Sequence, residues 1–205
     1  MQKFTVIFLL LVGINLTHGS CKKQSNNVVM LPPAEASLIR NLVFTKQTNV
    51  EKNVSYGASQ VKTTAGTDNG NFFIRLYTES NIPGTASESV VLYINESHLT
   101  SNLAKGYSFG TIEPALKRVY YTYTFHESGT SSWTSITDSG IGVVFQGVLN
   151  ITSYDEKNKL VSGSYLLKAR KLITDPTIKS IAEPIDPMNE CDLTLTGDFS
   201  NIRIR

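Results

Sequence analysis

The sequence predicts an all-β protein, folded as an antiparallel β-sandwich or a barrel-like domain. Short segments of alternating apolar and polar residues recur at intervals of roughly 8–12 residues, with turn residues between them. Charged residues make up 18% of the 205-residue chain, which is otherwise rich in Ser, Thr, Asn, Tyr and Phe. That composition suits strands with one buried and one wet face. The sequence contains no internal repeat of about 20–50 residues and no compositional break, so it favours one β domain.

The clearest element is a hairpin around the polar turn at residues 155–158. Side chains alternate between the two faces of a strand, so Phe145 and Leu149 share one face of the strand before the turn. Tyr165 and Leu167 likewise share one face of the strand after it. An isolated hairpin is only marginally stable in water, so other strands must complete its sheet.

The rest of the chain supplies further strands in order. The pattern predicts strands at 38–45, 54–64, 72–77, 90–94, 106–110, 119–125 and 193–204. Between them it predicts a turn at 67–70, a short helical turn at 99–103 and a polar loop at 128–135. Residues 172–190 contain three prolines, which neither helices nor strands tolerate easily, and they are predicted to form a long loop.

The N-terminus has the three parts of a secretory signal peptide. Lys3 supplies a basic start, residues 4–16 form an apolar run, and small residues follow it. The apolar run is shorter than the roughly 20 residues that a membrane-spanning helix needs. Residues 1–20 are therefore predicted to be a signal peptide, with a polar tether at 21–37 and a single β domain at 38–205.

The end of this segment, Gly19-Ser20-Cys21, resembles the cleavage box of bacterial lipoproteins, in particular those of Bacteroidota-type envelopes. The resemblance implies that Cys21 is lipidated and becomes the first mature residue. His18 stands where that box usually has Leu, so ordinary signal-peptidase cleavage, with Thr17 and Gly19 as the small residues, stays open. The residues just after Cys21 include no acidic residue of the kind that marks surface export in such envelopes. This favours a lipid-anchored protein of the outer membrane that faces the periplasm.

The second half of the chain also resembles a family, the single-domain β lipoproteins of uncharacterised function in Bacteroidota. Four short motifs in a fixed order carry the resemblance, which covers residues 72–204: LAKGYSF at 103–109, LNITSYD at 149–155, VSGSY at 161–165 and LTGDF at 195–199. The resemblance implies a single β domain, and that family has no known catalytic residues to transfer.

Composition and motifs argue against several classes of function. A net charge of +2 does not suit a nucleic-acid partner, which needs a basic stripe to neutralise phosphates. His98 and His126 do not have metal-ligand spacing, and the chain has no nucleophile elbow or phosphate loop. We therefore expect no cofactor, no metal and no enzymatic activity. If Cys21 is not lipidated, it could form a disulfide with Cys191 in an oxidising compartment.

Exposed aromatic residues are the best candidates for a binding surface. Tyr120 and Tyr121 must point to opposite faces of their strand, so one of them is expected in the core. Tyr120, together with the single tryptophan, Trp133, is the candidate surface, with a protein or a glycan as its partner.

The sequence thus predicts a lipid-anchored envelope protein with a binding or structural role. One alternative is an adhesin or assembly subunit that pairs with its partner through an exposed β edge. The other is an envelope glycan hydrolase, which would need two carboxylates about 5–10 Å apart in a cleft.

The anchor can be tested directly. We expect Cys21→Ala to abolish acylation and to move the protein from the membrane to the soluble fraction, because the acyl chains supply the membrane affinity. Intact-mass measurement and fractionation of both forms check this. A wild-type chain with an unmodified Cys21 would contradict the prediction.

Overall fold

The computed structural model describes residues 30–44, 51–79, 86–110, 117–126, 132–138, 145–173 and 190–205. Its strands are β1 (Glu35–Ala36), β2 (Leu38–Phe44), β3 (Glu51–Tyr56), β4 (Val61–Asp68), β5 (Asn71–Thr78), β6 (Ala86–Asn95), β7 (Gly106–Phe109), β8 (Lys117–His126), β9 (Ser132–Asp138), β10 (Phe145–Asp155), β11 (Leu160–Ile173) and β12 (Glu190–Arg203). All of them lie within one compact unit, Pro32–Arg205. The predicted signal peptide and residues 21–29 of the predicted tether, including Cys21, lie outside the described residues. β1 lies within the predicted tether, pairs with β12 and buries Ala36 at 4% exposure, so the end of that segment is part of the sheet.

The strands form two antiparallel sheets that are not closed into a barrel. The seven-stranded sheet has the order β3-β2-β12-β11-β10-β7, and β1 also pairs with β12. The five-stranded sheet has the order β4-β5-β6-β8-β9. The predicted all-β fold is confirmed, and the sandwich is the form that the chain adopts.

Each sheet buries one face, as period-two alternation requires. In β5, Phe72, Ile74 and Leu76 are at most 2% exposed, while the residues between them reach the outer face. The two inner faces share one core. Its largest fully buried apolar side chains come from both sheets: Leu38, Phe72, Ile74, Leu76, Leu92, Ile94, Phe145, Leu149, Ile151, Leu167 and Leu193.

The predicted hairpin is present as β10 and β11. Leu149 pairs with Tyr165, and Asp155 pairs with Leu160 across the turn. The register shifts once, between Ile151 and Ser153, where the strand carries an extra residue. The predicted inward residues of both strands are buried, so the hairpin prediction is confirmed.

The prediction of one strand at 54–64 is wrong. A turn at residues 57–60 divides the segment, and the amide of Gln60 donates to the carbonyl of Gly57 at 2.9 Å. β3 ends before this turn and β4 begins after it, and the two strands belong to different sheets. Apolar residues recur on both sides of the turn, so periodicity alone did not reveal that the chain crosses from one sheet to the other.

Two shorter predictions also differ from the structure. The predicted loop at 128–135 overlaps a strand, because β9 begins at Ser132 and pairs with β8. The single turn of 3-10 helix lies at Glu96–His98 and not at 99–103. It begins there because the Asn95 side chain accepts a hydrogen bond from the amide of Ser97 at 3.0 Å. Most of the predicted loop at 172–190 lies outside the described residues.

Candidate functional site

A groove with a volume of about 720 Å³ lies on the outer face of the five-stranded sheet. This volume is in the range of sites that bind small molecules or short polymers. We call it the outer-face groove. Its lining residues come from β4, β5, β6 and β8 and the ends of those strands: Thr64, Asp68, Phe73, Arg75, Tyr77, Thr78, Glu79, Ser87, Glu88, Ser89, Val91, Tyr93, Tyr120 and Thr122.

Strand register arranges the outer side chains in rows across the sheet. In one row, Phe73 of β5 pairs with Tyr93 of β6. In the next row, Arg75 pairs with Val91, which pairs with Tyr120 of β8. Directly paired residues lie on the same face, so each row places its side chains together. Val91 is only 7% exposed although it is on the outer face, and it forms the floor of the groove.

The following row contains hydroxyl groups beside an aromatic ring. Tyr77 of β5 pairs with Ser89 of β6, which pairs with Thr122 of β8. All three residues line the groove. The groove therefore combines half-buried rings with hydroxyl groups that can both donate and accept hydrogen bonds.

A glycine makes room for one of the rings. Gly66 of β4 pairs with Phe73. A Cβ atom at Gly66 would lie 3.3 Å from the Phe73 ring and 3.0 Å from the carbonyl oxygen of Arg205. The Phe73 ring in turn lies 6.2 Å from the Tyr93 ring, tilted by 47°. The absence of a side chain at Gly66 thus lets the aromatic pair lie close to the sheet.

Arg75 is held in place by two contacts. Its Nε donates to Ser89 Oγ at 3.2 Å, and its Cζ lies 4.7 Å from the centroid of the Tyr77 ring. A guanidinium over an aromatic face is attracted by the ring quadrupole, and the hydrogen bond fixes its orientation.

The two exposed acidic residues of the groove are far apart. Asp68 pairs with Asn71 at one end of β5, and Glu79 follows the other end. At about 3.3 Å per residue, this separates their backbones by about 26 Å. The third acidic residue, Glu88, has a side chain that is 0% exposed. Asp68 and Glu79 are therefore too far apart for glycoside hydrolysis, and the carboxylate of Glu88 is enclosed by its contacts with Arg40, Tyr56 and Tyr121.

The structure places one predicted site residue in the groove. Tyr120 lines it, while Tyr121 is buried at 4% exposure, so the prediction that they face opposite ways is confirmed. Trp133 pairs with Phe125, whereas Tyr120 pairs with Asp138. The two positions are five residue steps apart along β8, which is about 16 Å. The side chain of Trp133 lies outside the described part of the chain.

Sequence reasoning missed most of the groove. The alternation of residues 72–77 revealed the core face of β5, but the other face carries Phe73, Arg75 and Tyr77. Two aromatic rings on the face that should meet solvent were a usable signal, because large apolar side chains grouped on a surface tend to mark contacts. Tyr93 on the neighbouring strand could be placed beside them only after the register was known.

A second polar feature lies between the sheets. Arg40 Nε of β2 donates to Glu88 Oε1 of β6 at 2.7 Å, and the two side chains are 2% and 0% exposed. The hydroxyl of Tyr121 donates to Glu88 Oε2 at 3.1 Å, and that of Tyr56 donates to Oε1 at 3.3 Å. We call these four residues the inter-sheet cluster, because two come from each sheet.

Burial controls the ionisation of this cluster. It raises the pKa of Glu88, while the guanidinium of Arg40 and the two tyrosine hydroxyls act in the opposite direction. Burial and the neighbouring carboxylate raise the pKa of Tyr56 to about 12. Since the carboxylate and the guanidinium are both enclosed by the core, this arrangement links the sheets and does not present a reactive group to solvent.

The described residues contain no group of three or more His, Cys, Asp and Glu residues that could hold a metal ion. No helix in the described ranges is long and apolar enough to cross a membrane.

Comparison of the chain with protein-family models, with curated proteins and with solved structures found no match. The function must therefore be inferred from the groove and the cluster themselves.

The inter-sheet cluster predicts how substitutions of Arg40 and Glu88, singly and together, change the free energy of unfolding. We expect Glu88→Leu to lower the free energy of unfolding by about 3–5 kcal/mol, because it leaves the Arg40 guanidinium buried without its carboxylate. Arg40→Met should cost a similar amount for the same reason. The double variant should cost clearly less than the sum of the two, because both charges are then gone. Urea unfolding of the four proteins measures this, and additive losses would contradict a coupled pair.

The cluster also predicts a pH dependence. The pKa of Glu88 is raised in the folded state above its ordinary value of 4.5, so the folded chain holds that proton more tightly than the unfolded chain. The contribution of Glu88 to the free energy of unfolding is fully present below about pH 4.5. This contribution decreases as the pH rises toward and through the folded-state pKa, by at most about 1.4 kcal/mol per pH unit.

Glu88→Gln isolates this effect, because the amide does not titrate. We expect the unfolding free energy of the wild type, relative to that of Glu88→Gln, to fall as pH rises from 4.5. A relative stability that increases over this window would show that the pKa of Glu88 is lowered and would contradict the expectation.

Proposed function

We propose that this chain is a lipid-anchored glycan-binding module of the cell envelope, and that the outer-face groove holds the glycan. The observation that carries the proposal is the combination of half-buried aromatic rings and hydroxyl groups in one groove on a sheet face.

The chemistry of a sugar ring fits this combination. A pyranose presents C–H groups on its faces, which carry a small positive charge and pack against the negative face of an aromatic ring. Its hydroxyl groups lie around the edge, where Ser89 and Thr122 can exchange hydrogen bonds with them. The Phe73–Tyr93 pair and Tyr120 offer rings at separate positions of the groove, so an extended oligosaccharide would have more than one packing site.

The framework of the groove favours binding without rearrangement. Its side chains stand on paired strands, and its floor is the nearly buried Val91. Residues held on a hydrogen-bonded sheet lose less conformational freedom on binding than residues on loops. This suits a module whose role is to hold a ligand.

The envelope location is part of the proposal and is supported by the sequence. The predicted signal peptide at 1–20, the lipoprotein-like box at Cys21 and the polar stretch between that box and β1 are typical of a domain attached to a membrane by acyl chains. The lack of acidic residues directly after Cys21 favours the periplasmic side of the outer membrane. There the groove would meet envelope glycans.

The two alternatives have weaker support. Assembly through a β edge needs a long unpaired strand: the edge strand β7 has four residues, whereas the edge strands β3 and β9 have six and seven, so this alternative depends on β3 or β9. At the edge strand β4, the amide of Arg205 donates to the carbonyl of Ala65 at 3.0 Å, and Ile204 pairs with Ala65. A glycan hydrolase needs two nearby carboxylates that reach the substrate. Asp68 and Glu79 are about 26 Å apart along the sheet, and the carboxylate of Glu88 is 0% exposed and bonded within the inter-sheet cluster.

Binding to a panel of soluble neutral and acidic polysaccharides tests the proposal, measured by affinity electrophoresis of the full chain. We expect Tyr93→Ala and Tyr120→Ala each to weaken binding by about 2- to 10-fold, the usual contribution of one aromatic contact.

Tyr154→Ala is the matched control, because Tyr154 is a half-buried tyrosine of β10 in the other sheet. It should leave binding unchanged while the domain stays folded by circular dichroism. Failure of the wild type to bind any glycan of the panel, or equal loss in all three variants, would overturn the proposal.

A further inference from the structure

We infer that Arg75 makes the outer-face groove selective for glycans that carry carboxylate groups, that is, for chains containing uronic acids. The inference rests on the proposed function, because it names the chemical class of the glycan. Its basis is the position of one oriented guanidinium among aromatic rings and hydroxyl groups.

Arg75 lies near the middle of the groove. On one side it pairs with Thr64 of β4, and on the other with Val91 of β6. Tyr120 is the next residue of the same row, about 10 Å from Arg75 across two strand spacings. A glycan that packs against the ring of Tyr120 would therefore pass close to the guanidinium.

Two contacts fix the orientation of the Arg75 guanidinium, and neither of them neutralises its positive charge. Its Nε is occupied by Ser89, and the ring of Tyr77 supports its planar group. The donors of the two terminal nitrogens are not used by either contact. The ion pairs between described residues are Arg40–Glu88 and Lys62–Glu79, and Arg75 belongs to neither.

The charges around Arg75 leave the centre of the groove positive. Asp68 and Glu79 lie at opposite ends of the groove, each about 13 Å from Arg75 along the strands. Asp138 pairs with Tyr120 in the same row as Arg75, about 14 Å away across three strand spacings. These distances exceed the screening length of about 8 Å at physiological salt. Glu79 is also paired with Lys62, and the carboxylate of Glu88 is enclosed by the core. An anionic group is therefore the complement of this site.

The shape of the guanidinium favours a carboxylate over other anions. Two parallel N–H groups of an arginine match the two oxygens of a planar carboxylate in a bidentate pair. In a uronic acid the carboxylate projects from the edge of the sugar ring. One uronic acid unit of the glycan could therefore pack the face of its sugar ring on an aromatic side chain while its carboxylate reaches Arg75.

The competing explanation is that Arg75 only shields the Tyr77 ring from water. An arginine with that role alone would not change the relative affinities of different ligands. The test therefore compares the affinity for a uronate with the affinity for its methyl ester. Oligomers of galacturonate, glucuronate and mannuronate, each with its methyl-esterified form, are titrated calorimetrically into the full chain. Neutral oligosaccharides and sulfated dextran are included as separate arms.

We expect the wild type to bind at least one free acid about 10- to 100-fold more tightly than its ester, the usual effect of a hydrogen-bonded charged group. Arg75→Gln should abolish this preference, and Arg75→Lys should keep only part of it, because lysine lacks the bidentate fork. Ser89→Ala should weaken binding of the acid more than binding of the ester, because Ser89 orients the guanidinium in addition to bonding sugar hydroxyls. Arg203→Gln, the same change at an exposed arginine of β12 in the other sheet, should keep the full preference.

The outcomes separate the two proposals. Equal binding of acid and ester, a preference for sulfated dextran, or a preference that survives in Arg75→Gln would overturn the inference while glycan binding stands. Failure to bind every acidic and neutral glycan would overturn the proposed function and the inference together.

Discussion

The buried pair of Arg40 and Glu88 is the constraint on which the arrangement of the two sheets depends. Each charge would be costly in an apolar core by itself, so the pair is stable only if both strands keep the register that brings the groups together. A slip of β6 by one residue would carry Glu88 to the outer face and Ser89 into the core. The same slip would turn the buried Val90, Leu92 and Ile94 to the outer face, so the apolar core and the ion pair select the same register. The hydroxyls of Tyr56 and Tyr121 complete the carboxylate's hydrogen bonds and add one contact from each sheet.

The strand register that buries Glu88 also determines which residues line the outer-face groove. When Glu88 points inward, its neighbours Ser87 and Ser89 must point outward, and every second residue after them follows. The register that buries the ion pair therefore also places Val91 and Tyr93 in the groove beside β5. A change that weakens the inter-sheet cluster would thus act on the groove through strand register, without touching any groove side chain.

The two outer faces of the sandwich are chemically different. That of the seven-stranded sheet presents a few apolar side chains, such as Ile39 and Leu166, which are 42% and 40% exposed and are separated in their row by Thr196. Single exposed apolar residues are normal on protein surfaces and do not by themselves indicate a site. The face of the five-stranded sheet groups its rings around one arginine and forms a groove of about 720 Å³. Grouping and concavity, and not the number of apolar side chains, distinguish the face that we assign to binding.

Local sequence was enough to determine the β class and the hairpin of β10 and β11. It also determined the buried faces of β5 and of the start of β8. These features follow from the alternation of apolar and polar residues within one strand, which does not depend on the position of other strands. Local sequence also indicated that Tyr120 faces away from the core. Tertiary structure alone decided that β3 and β4 belong to different sheets, and that Arg40 meets a carboxylate 48 residues away. It likewise decided that Arg75 stands in one row with Val91 and Tyr120. Those facts depend on the register between strands that are distant in the chain. That register is set by packing of the whole core, which no short stretch of sequence contains.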